Sequence, residues 1–251
     1  KKLIDQFDKN NPLKRYRGDV YYEMNNLSRL FSAMKKEGWT STYLVEQIEC
    51  YITEIPTRDE FVYKKKYKQF EAGALKQGLV DAAMEKMEKL KAAVIAFDAY
   101  QALMKSHSRY DFDDMINWVI TAFKENKNLL AQYQEKYLYI LVDEYQDTSG
   151  TQNELVQLLV NYWDQPNLFV VGDDDQSIFR FQGANVENML HYQKQYHAAI
   201  TTIVLENNYR STQPILNAST LLINNNQERL INKMDGLSKN LIAALPENKN
   251  I

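Results

Sequence analysis

The sequence predicts an α/β fold in which a parallel sheet follows a long all-helical region. Three observations carry that expectation. Apolar residues recur every three to five positions across 19–52 and again across 81–104, which is helical spacing. Three short apolar runs, at 137–142, 168–171 and 200–205, have the length of buried strands. Helical patterns separate those runs, and strands that alternate with helices build parallel sheets.

With 251 residues the chain can form one large domain or two smaller ones, each with a real core. Its net charge of -3 argues against a globally polycationic chain, but the charge is unevenly spread. Residues 1–110 hold 20 Lys/Arg against 15 Asp/Glu, whereas 111–251 hold 10 against 18. A mildly basic half and an acidic half suggest a polyanion for one and a cation with its nucleotide for the other. The single cysteine, Cys50, excludes an internal disulfide framework and a cysteine-cluster metal site. His107, His191 and His197 have no metal-ligand spacing. No apolar stretch reaches transmembrane length and no signal peptide is visible, so the expected compartment is the cytoplasm, with no membrane partner. The opening Lys1-Lys2, without an initiator methionine, suggests a piece of a longer protein.

Residues 1–18 are rich in turn formers and read as an extended lead-in. A helix is expected from Asp19 to Lys36 on Tyr22, Leu27, Leu30, Phe31 and Met34, stopped by Gly38. Ser41 or Thr42 caps a second helix with Leu44, Val45, Ile48 and Ile52 inward, broken at Pro56. From Phe61 to Phe70 aromatics interleave with lysines. This reads as an amphipathic helix burying Tyr63, Tyr67 and Phe70, with a base-stacking nucleic-acid surface as the alternative. A long helix starts at Asp81, with the stripe Met87, Leu90, Val94, Phe97, Met104. Asp111 is expected to cap the next, whose apolar face is Met115, Ile116, Trp118, Val119 and Phe123. Thr148 or Ser149 caps a helix with Leu155, Leu158, Leu159 and Tyr162 inward. A further helix spans 186–196, and Ser211 caps the last, with Pro214 in its first turn.

Chemistry-bearing residues gather behind the apolar runs. Asp143 and Glu144 follow the first strand, where open α/β sheets bind ligands. Carboxylates there suit Mg²⁺, one holding the cation while the next handles a water. Behind the second run lie Gly172, which permits a tight turn, the acids Asp173, Asp174 and Asp175, and Gln176, which can donate to a phosphate oxygen and accept from water. Phe179 and Phe181 flank Arg180, a combination suited to base stacking. Arg210 follows the third run, and its guanidinium suits a transferring phosphoryl group.

The stretches 142–148, 171–178 and 205–211 (VDEYQDT, VGDDDQSI and LENNYRS) resemble motifs II, III and IV of superfamily 1 DNA helicases of the UvrD/Rep/PcrA type, in the same order. The DFDD of 111–114 resembles the stretch that precedes motif II in that family. The resemblance implies a RecA-like motor core with a large all-helical insertion. On that view 1–110 is a 1B-like subdomain, 111–207 the returning part of core domain 1A, and 208–251 the start of domain 2A. It further implies ATP and Mg²⁺ as cofactors. Asp143 would be a metal ligand, Glu144 would activate the attacking water beside the metal, Gln176 would sense the γ-phosphate and Arg210 would act as an arginine finger. Phe179, Arg180 and Phe181 would contact DNA. The partners it implies are single-stranded DNA and single-strand/duplex junctions, and the direction of travel 3′→5′.

Two departures bear on that reading. Phe181 stands where the family often has tryptophan, and Gln182 where it usually has arginine. None of the eight glycines is followed by lysine, so the phosphate-cradling loop and its strand are missing. The fragment alone is therefore expected to be inactive. Two rival readings stay open: the helicase core of an AddA/RecB-type helicase–nuclease, which a nuclease domain further along the gene would mark, and a non-catalytic DNA-binding relative. A binding module needs none of Asp143, Glu144, Gln176 and Arg210.

Overall fold

The computed structural model describes residues 1–14, 18–67, 70–177, 186–196, 199–234 and 237–244. The chain divides into two compact units, Lys1–Glu125 and Asn126–Ile251.

The N-terminal unit is helical, with α1 (Lys2–Asp5), α2 (Met24–Glu37), α3 (Ser41–Glu54), α4 (Gln77–Ser106) and α5 (Phe112–Glu125). The expected stripes form most of its core: Leu27, Phe31 and Met34 of α2 bury against Val94 and Phe97 of α4, with Ile48 of α3, whereas Tyr22, expected on the same face, precedes α2 and is exposed. The Phe31 ring lies 5.4 Å from Phe97 and 4.8 Å from Tyr100, centroid to centroid. Gly38 stops α2 in the left-handed conformation (φ 67°), and Trp39 N–H closes the end on the Met34 carbonyl at 2.9 Å.

Several expectations are corrected here. The lead-in is not extended, because Leu3, Ile4 and Leu13 bury in this core and draw it down as a short helix and turns. Thr40, not Ser41 or Thr42, caps α3, its hydroxyl accepting from Tyr43 N–H at 3.1 Å. Among the described residues of 61–70 the expected α-helix does not form. Tyr63 N–H instead bonds the Ala74 carbonyl at 3.0 Å and Lys76 N–H the Phe61 carbonyl at 2.8 Å, giving an antiparallel bridge Val62–Leu75, while Tyr67 and Phe70 exchange N–H to carbonyl bonds of 2.9 Å in a second. Aromatic and β-branched residues favour that extended pairing, and Gly73 supplies the positive φ (87°) its turn needs. Asp111 does cap α5, but the helix buries Ile120 and Phe123 while Met115, Trp118 and Val119 stay exposed. Polar Asp114 and Asn117 occupy the inward positions instead, bonded to α2.

The C-terminal unit runs α6 (Lys127–Lys136), β1 (Ile140–Val142), α7 (Gly150–Val160), β2 (Leu168–Val170), α8 (Val186–Gln195), β3 (Asn207–Asn208), α9 (Gln213–Ile223) and β4 (Ile242–Ala243). As expected, β1 and β2 pair in parallel, Ile140 opposite Leu168 and Val142 opposite Val170. The crossover α7 starts at Ser149, which forms a reciprocal capping box with Gln152. Of its expected inward residues Leu155, Leu158 and Leu159 are half-buried, but Tyr162 is exposed and Val160 takes the buried end.

The expected third strand at 200–205 forms no ladder, and the sheet is not continuous. β3 lies two residues later and pairs in parallel with β4 as a separate two-stranded sheet. A strand needs a neighbour for its N–H and C=O groups, and among the described residues 200–205 has none; Ile203 and Leu205 are exposed. Leu141 and Phe169, paired across β1 and β2, are exposed too, so this sheet is covered on one face only. The N-cap of α9 is Thr212 rather than Ser211, whose N–H is taken by Asn208 Oδ1 at 2.8 Å.

A buried ion cluster ties α5 to α2. Lys35, 3% exposed, donates to Asp111 and Asp114, each at 2.8 Å, and its ammonium lies 5.2 Å from the Tyr100 ring centre. Asp111 and Asp114 also accept each other's backbone N–H at 3.0 Å, which closes the start of α5. Burial opposes the charge on Asp114, but Lys35 and the Asp111 N–H prevail and hold its carboxyl below the usual range. Burial likewise opposes Lys35, whose carboxylate partners raise it above the ordinary lysine value. The signs follow. The Asp114 contribution is full above the unfolded value of about 3.9 and disappears as pH falls through its lowered folded value. That of Lys35 is full below about 10.4 and disappears as pH rises through its raised one. Asp114→Ala leaves the buried Lys35 ammonium with only the half-exposed Asp111 carboxylate and should cost about 3 kcal/mol in urea unfolding, whereas the double variant Lys35→Met/Asp114→Leu should recover most of it. Equal losses in the single and double variants would show that the charges do not depend on one another.

Candidate functional site

Because β1 and β2 run parallel, their carboxyl ends share one edge of the sheet, and the chain places acids at both. Asp143 and Glu144 leave β1, and both are exposed. Asp143 Oδ1 accepts Glu144 N–H at 2.9 Å. Glu144 itself is left-handed (φ 48°, ψ 43°), unusual for a residue with a side chain. That kink turns the chain into a single 3-10 turn over Tyr145–Asp147, which buries Tyr145 and Gln146. Tyr145 donates to Asn153 at 2.7 Å and meets the Tyr192 ring edge-on; burial, with Tyr192 and Tyr196 nearby, pushes its phenol up to about 12.

Gln146, 1% exposed, joins the two strand ends. Its Nε2 donates to Glu144 Oε2 at 2.6 Å and its Oε1 accepts Asp173 N–H at 3.0 Å. Gly172 makes room for it: a Cβ there would lie 2.7 Å from Gln146 Oε1 and 3.3 Å from the backbone nitrogens of Tyr145 and Gln146. Asp173 Oδ2 in turn accepts Gln176 Nε2 at 2.9 Å. Asp143, Glu144 and Gln176 thus belong to one hydrogen-bonded chain that runs through Gln146 and Asp173.

The three acids of 173–175 are held by two cations from further along the chain. Arg229, 4% exposed, grips Asp175 with two bonds of 2.7 Å. Lys239 bonds Asp173 at 2.7 Å and also Asp174, whose other oxygen accepts Leu230 N–H at 2.6 Å. Burial works against the charge on Asp173, but Lys239 and then Gln176 hold its carboxyl below the usual range. Burial also opposes Lys239, and its two carboxylate partners outweigh it and raise its value. Sequence reasoning missed Arg229 and Lys239. A run of three acids does call for cations, but nothing in the spacing says which ones, fifty or more residues away, will come.

Arg210 stands apart from that chain. It follows β3, where Asn208 Oδ1 accepts its backbone N–H at 2.9 Å, and it is exposed. Phe179, Arg180 and Phe181 lie outside the described residues, as does Gln182.

The acids fit a cation that arrives with its own ligands. The described residues contain no group of three His, Cys, Asp or Glu side chains able to hold a metal by themselves. Asp143 is exposed with Oδ1 turned to the backbone, which leaves Oδ2 for a cation. Mg²⁺ is commonly held in this way, by one or two carboxylates completed with water and substrate phosphates. No helix among the described residues is long and apolar enough to cross a membrane.

Comparison with known proteins identifies the family. The family model "UvrD/REP helicase N-terminal domain" matches residues 5–197. An ATP-dependent DNA helicase PcrA of Leuconostoc citreum is 46% identical over 138 residues, 55% of this chain and 18% of that protein. One from Staphylococcus aureus strain Mu50 is 47% identical over 133 residues, 53% of this chain and 18% of the relative. A putative ATP-dependent DNA helicase, YjcD of Bacillus subtilis, is 42% identical over 133 residues, 53% and 17% of the two chains. The matched stretch thus spans under a fifth of these relatives. With the family model covering well over half its length, the chain belongs to the UvrD/REP helicase family and carries that family's N-terminal domain.

Proposed function

We propose that this chain is part of an ATP-dependent DNA helicase that couples ATP hydrolysis to 3′→5′ movement on single-stranded DNA and at single-strand/duplex junctions. The observation that carries the reading is the bonded chain Glu144–Gln146–Asp173–Gln176, which ties the acids behind β1 to the loop behind β2. In this reading 1–110 is the 1B-like helical subdomain, 111–207 the returning part of a RecA-like 1A core, and 208–251 the start of domain 2A. The strand with its phosphate loop lies outside this sequence. A cytoplasmic location accompanies the assignment.

The surroundings of Asp143, Glu144, Gln176 and Arg210 support a part for each. Asp143, through its free Oδ2, would hold the Mg²⁺ of the nucleotide, which supplies charge neutralisation between the phosphates when bound. Glu144 accepts a proton from, and orients, the water that attacks the γ-phosphate, and Gln146 holds its carboxylate in place meanwhile. Gln176 is poised to exchange its bond to Asp173 for one to the γ-phosphate, so nucleotide state reaches the loop that leads to Phe179, Arg180 and Phe181. Stacking of those rings on bases would convert that signal into grip on DNA. Arg210, exposed on a separate sheet, is free to approach the transferring phosphoryl group as an arginine finger.

Three outcomes test the assignment. In the longer protein Glu144→Gln keeps an acceptor for Gln146 but loses the base, so kcat should collapse while nucleotide affinity stays near normal. Loss of ATP affinity with ordinary turnover would sink the role. Arg210→Ala should lower DNA-stimulated kcat by roughly 10³-fold with little change in the KM for ATP. The 251-residue chain alone should hydrolyse ATP far below a helicase rate, since the phosphate cradle and its lysine are not in it. DNA-stimulated turnover by that chain, abolished by Glu144→Gln, would refute this.

A further inference from the structure

We infer that the paired segments 61–67 and 70–76 form a second contact site for single-stranded DNA, in the helical unit and separate from the residues behind β1 and β2. The inference goes beyond the proposed ATP chemistry and does not depend on it. Its basis is a place where apolar rings are left in water among ammonium groups. Tyr67, Tyr63 and Phe70 form a nearly parallel stack, with Tyr63 in the middle: centroids 5.9 and 5.0 Å apart, planes within 10° and 8°. Tyr67 is 54% and Phe70 37% exposed, so the stack is not a core. It borders an open cleft of about 360 Å³ lined by Tyr63, Tyr67, Lys64, Lys65, Lys66 and Lys76, with one acid, Asp59, among them.

The two components match the two parts of a nucleotide strand. An exposed aromatic face accepts any base, and ammonium groups beside it meet the phosphates. The Lys76 ammonium lies 5.7 Å from the Tyr63 ring centre and donates to the Glu60 carbonyl at 3.0 Å, which fixes it at the cleft. Lys65 is exposed and has no carboxylate partner among the described residues. Lys64 and Lys66 pair with Asp59 and Glu71, but all four side chains are more than 60% exposed. Ion pairs so exposed are weak and give way to a polyanion. Duplex DNA keeps its bases stacked on one another, so a ring stack offers it less than it offers a single strand.

The test uses the full 251-residue chain with fluorescein-labelled oligo-dT, read by anisotropy, together with photocrosslinking of a bromodeoxyuridine oligonucleotide. The expected result is crosslinks within 59–76 and affinity about tenfold weaker in Tyr67→Ala with an unchanged melting temperature. Because Tyr67→Ala could loosen the stack itself, Lys65→Ala provides the second arm: it should lower the salt slope of log K by about 0.7, one phosphate contact on a single strand. Crosslinks confined to 171–211, with both variants binding as the parent does, would overturn the inference and leave the helicase reading intact. Tighter binding of blunt duplex than of oligo-dT, or no binding of either, would overturn it as well.

Discussion

One buried amide holds the site together. Gln146 has almost no contact with solvent, yet it donates to Glu144 and accepts from the backbone of Asp173. A parallel pair of strands only brings two loops to the same edge. The loops are joined here by the Tyr145 N–H on the Val171 carbonyl, at 2.9 Å, and by a side chain whose polar atoms would otherwise be buried without partners, a cost of about 1–3 kcal/mol. Gly172 belongs to the same constraint, since a methyl group at that position would collide with the amide oxygen. The acids behind β1 and the loop behind β2 are therefore tied by hydrogen bonds to a single buried side chain.

The acidic run beside that piece shows how position sorts chemically identical groups. Asp173, Asp174 and Asp175 all have a cation from Arg229 or Lys239, and Asp174 is nearly inaccessible. Asp143 and Glu144 are exposed and bonded to neighbours within the loop. Paired acids brace; exposed ones can meet a cation or a water. Without the two cations, three adjacent carboxylates would repel one another and the loop carrying Gln176 would open.

Much of this was legible from residue pattern. Helical spacing found α2, α3 and α4 and most of the residues they bury, and the apolar runs found β1 and β2 with the acids at their carboxyl ends. Pattern failed where tertiary partners decide. At 200–205 an apolar run had the composition of a strand but no neighbour to bond with. At 61–70 lysine–aromatic interleaving looked like an amphipathic helix, but the segment pairs with the residues that follow it, Val62 with Leu75 and Tyr67 with Phe70. In α5, Asp114 and Asn117 took the inward positions that apolar spacing had assigned to Met115, Trp118 and Val119. Lys35, Arg229 and Lys239 were invisible for a common reason: a lysine or arginine buries only when its carboxylates arrive from distant positions, and composition does not record that.

The left-handed backbone at Glu144 narrows what evolution or an engineer can place there. At φ 48° a β-branched side chain collides with its own backbone, while glycine, asparagine and aspartate fit best. The proposed chemistry asks for a carboxylate, and Gln146 asks for an acceptor of the right reach. Glycine and asparagine satisfy the backbone without the charge, and aspartate keeps the charge at a shorter reach. The three demands overlap on glutamate, so mutational drift at this position meets a geometric filter before it meets a catalytic one.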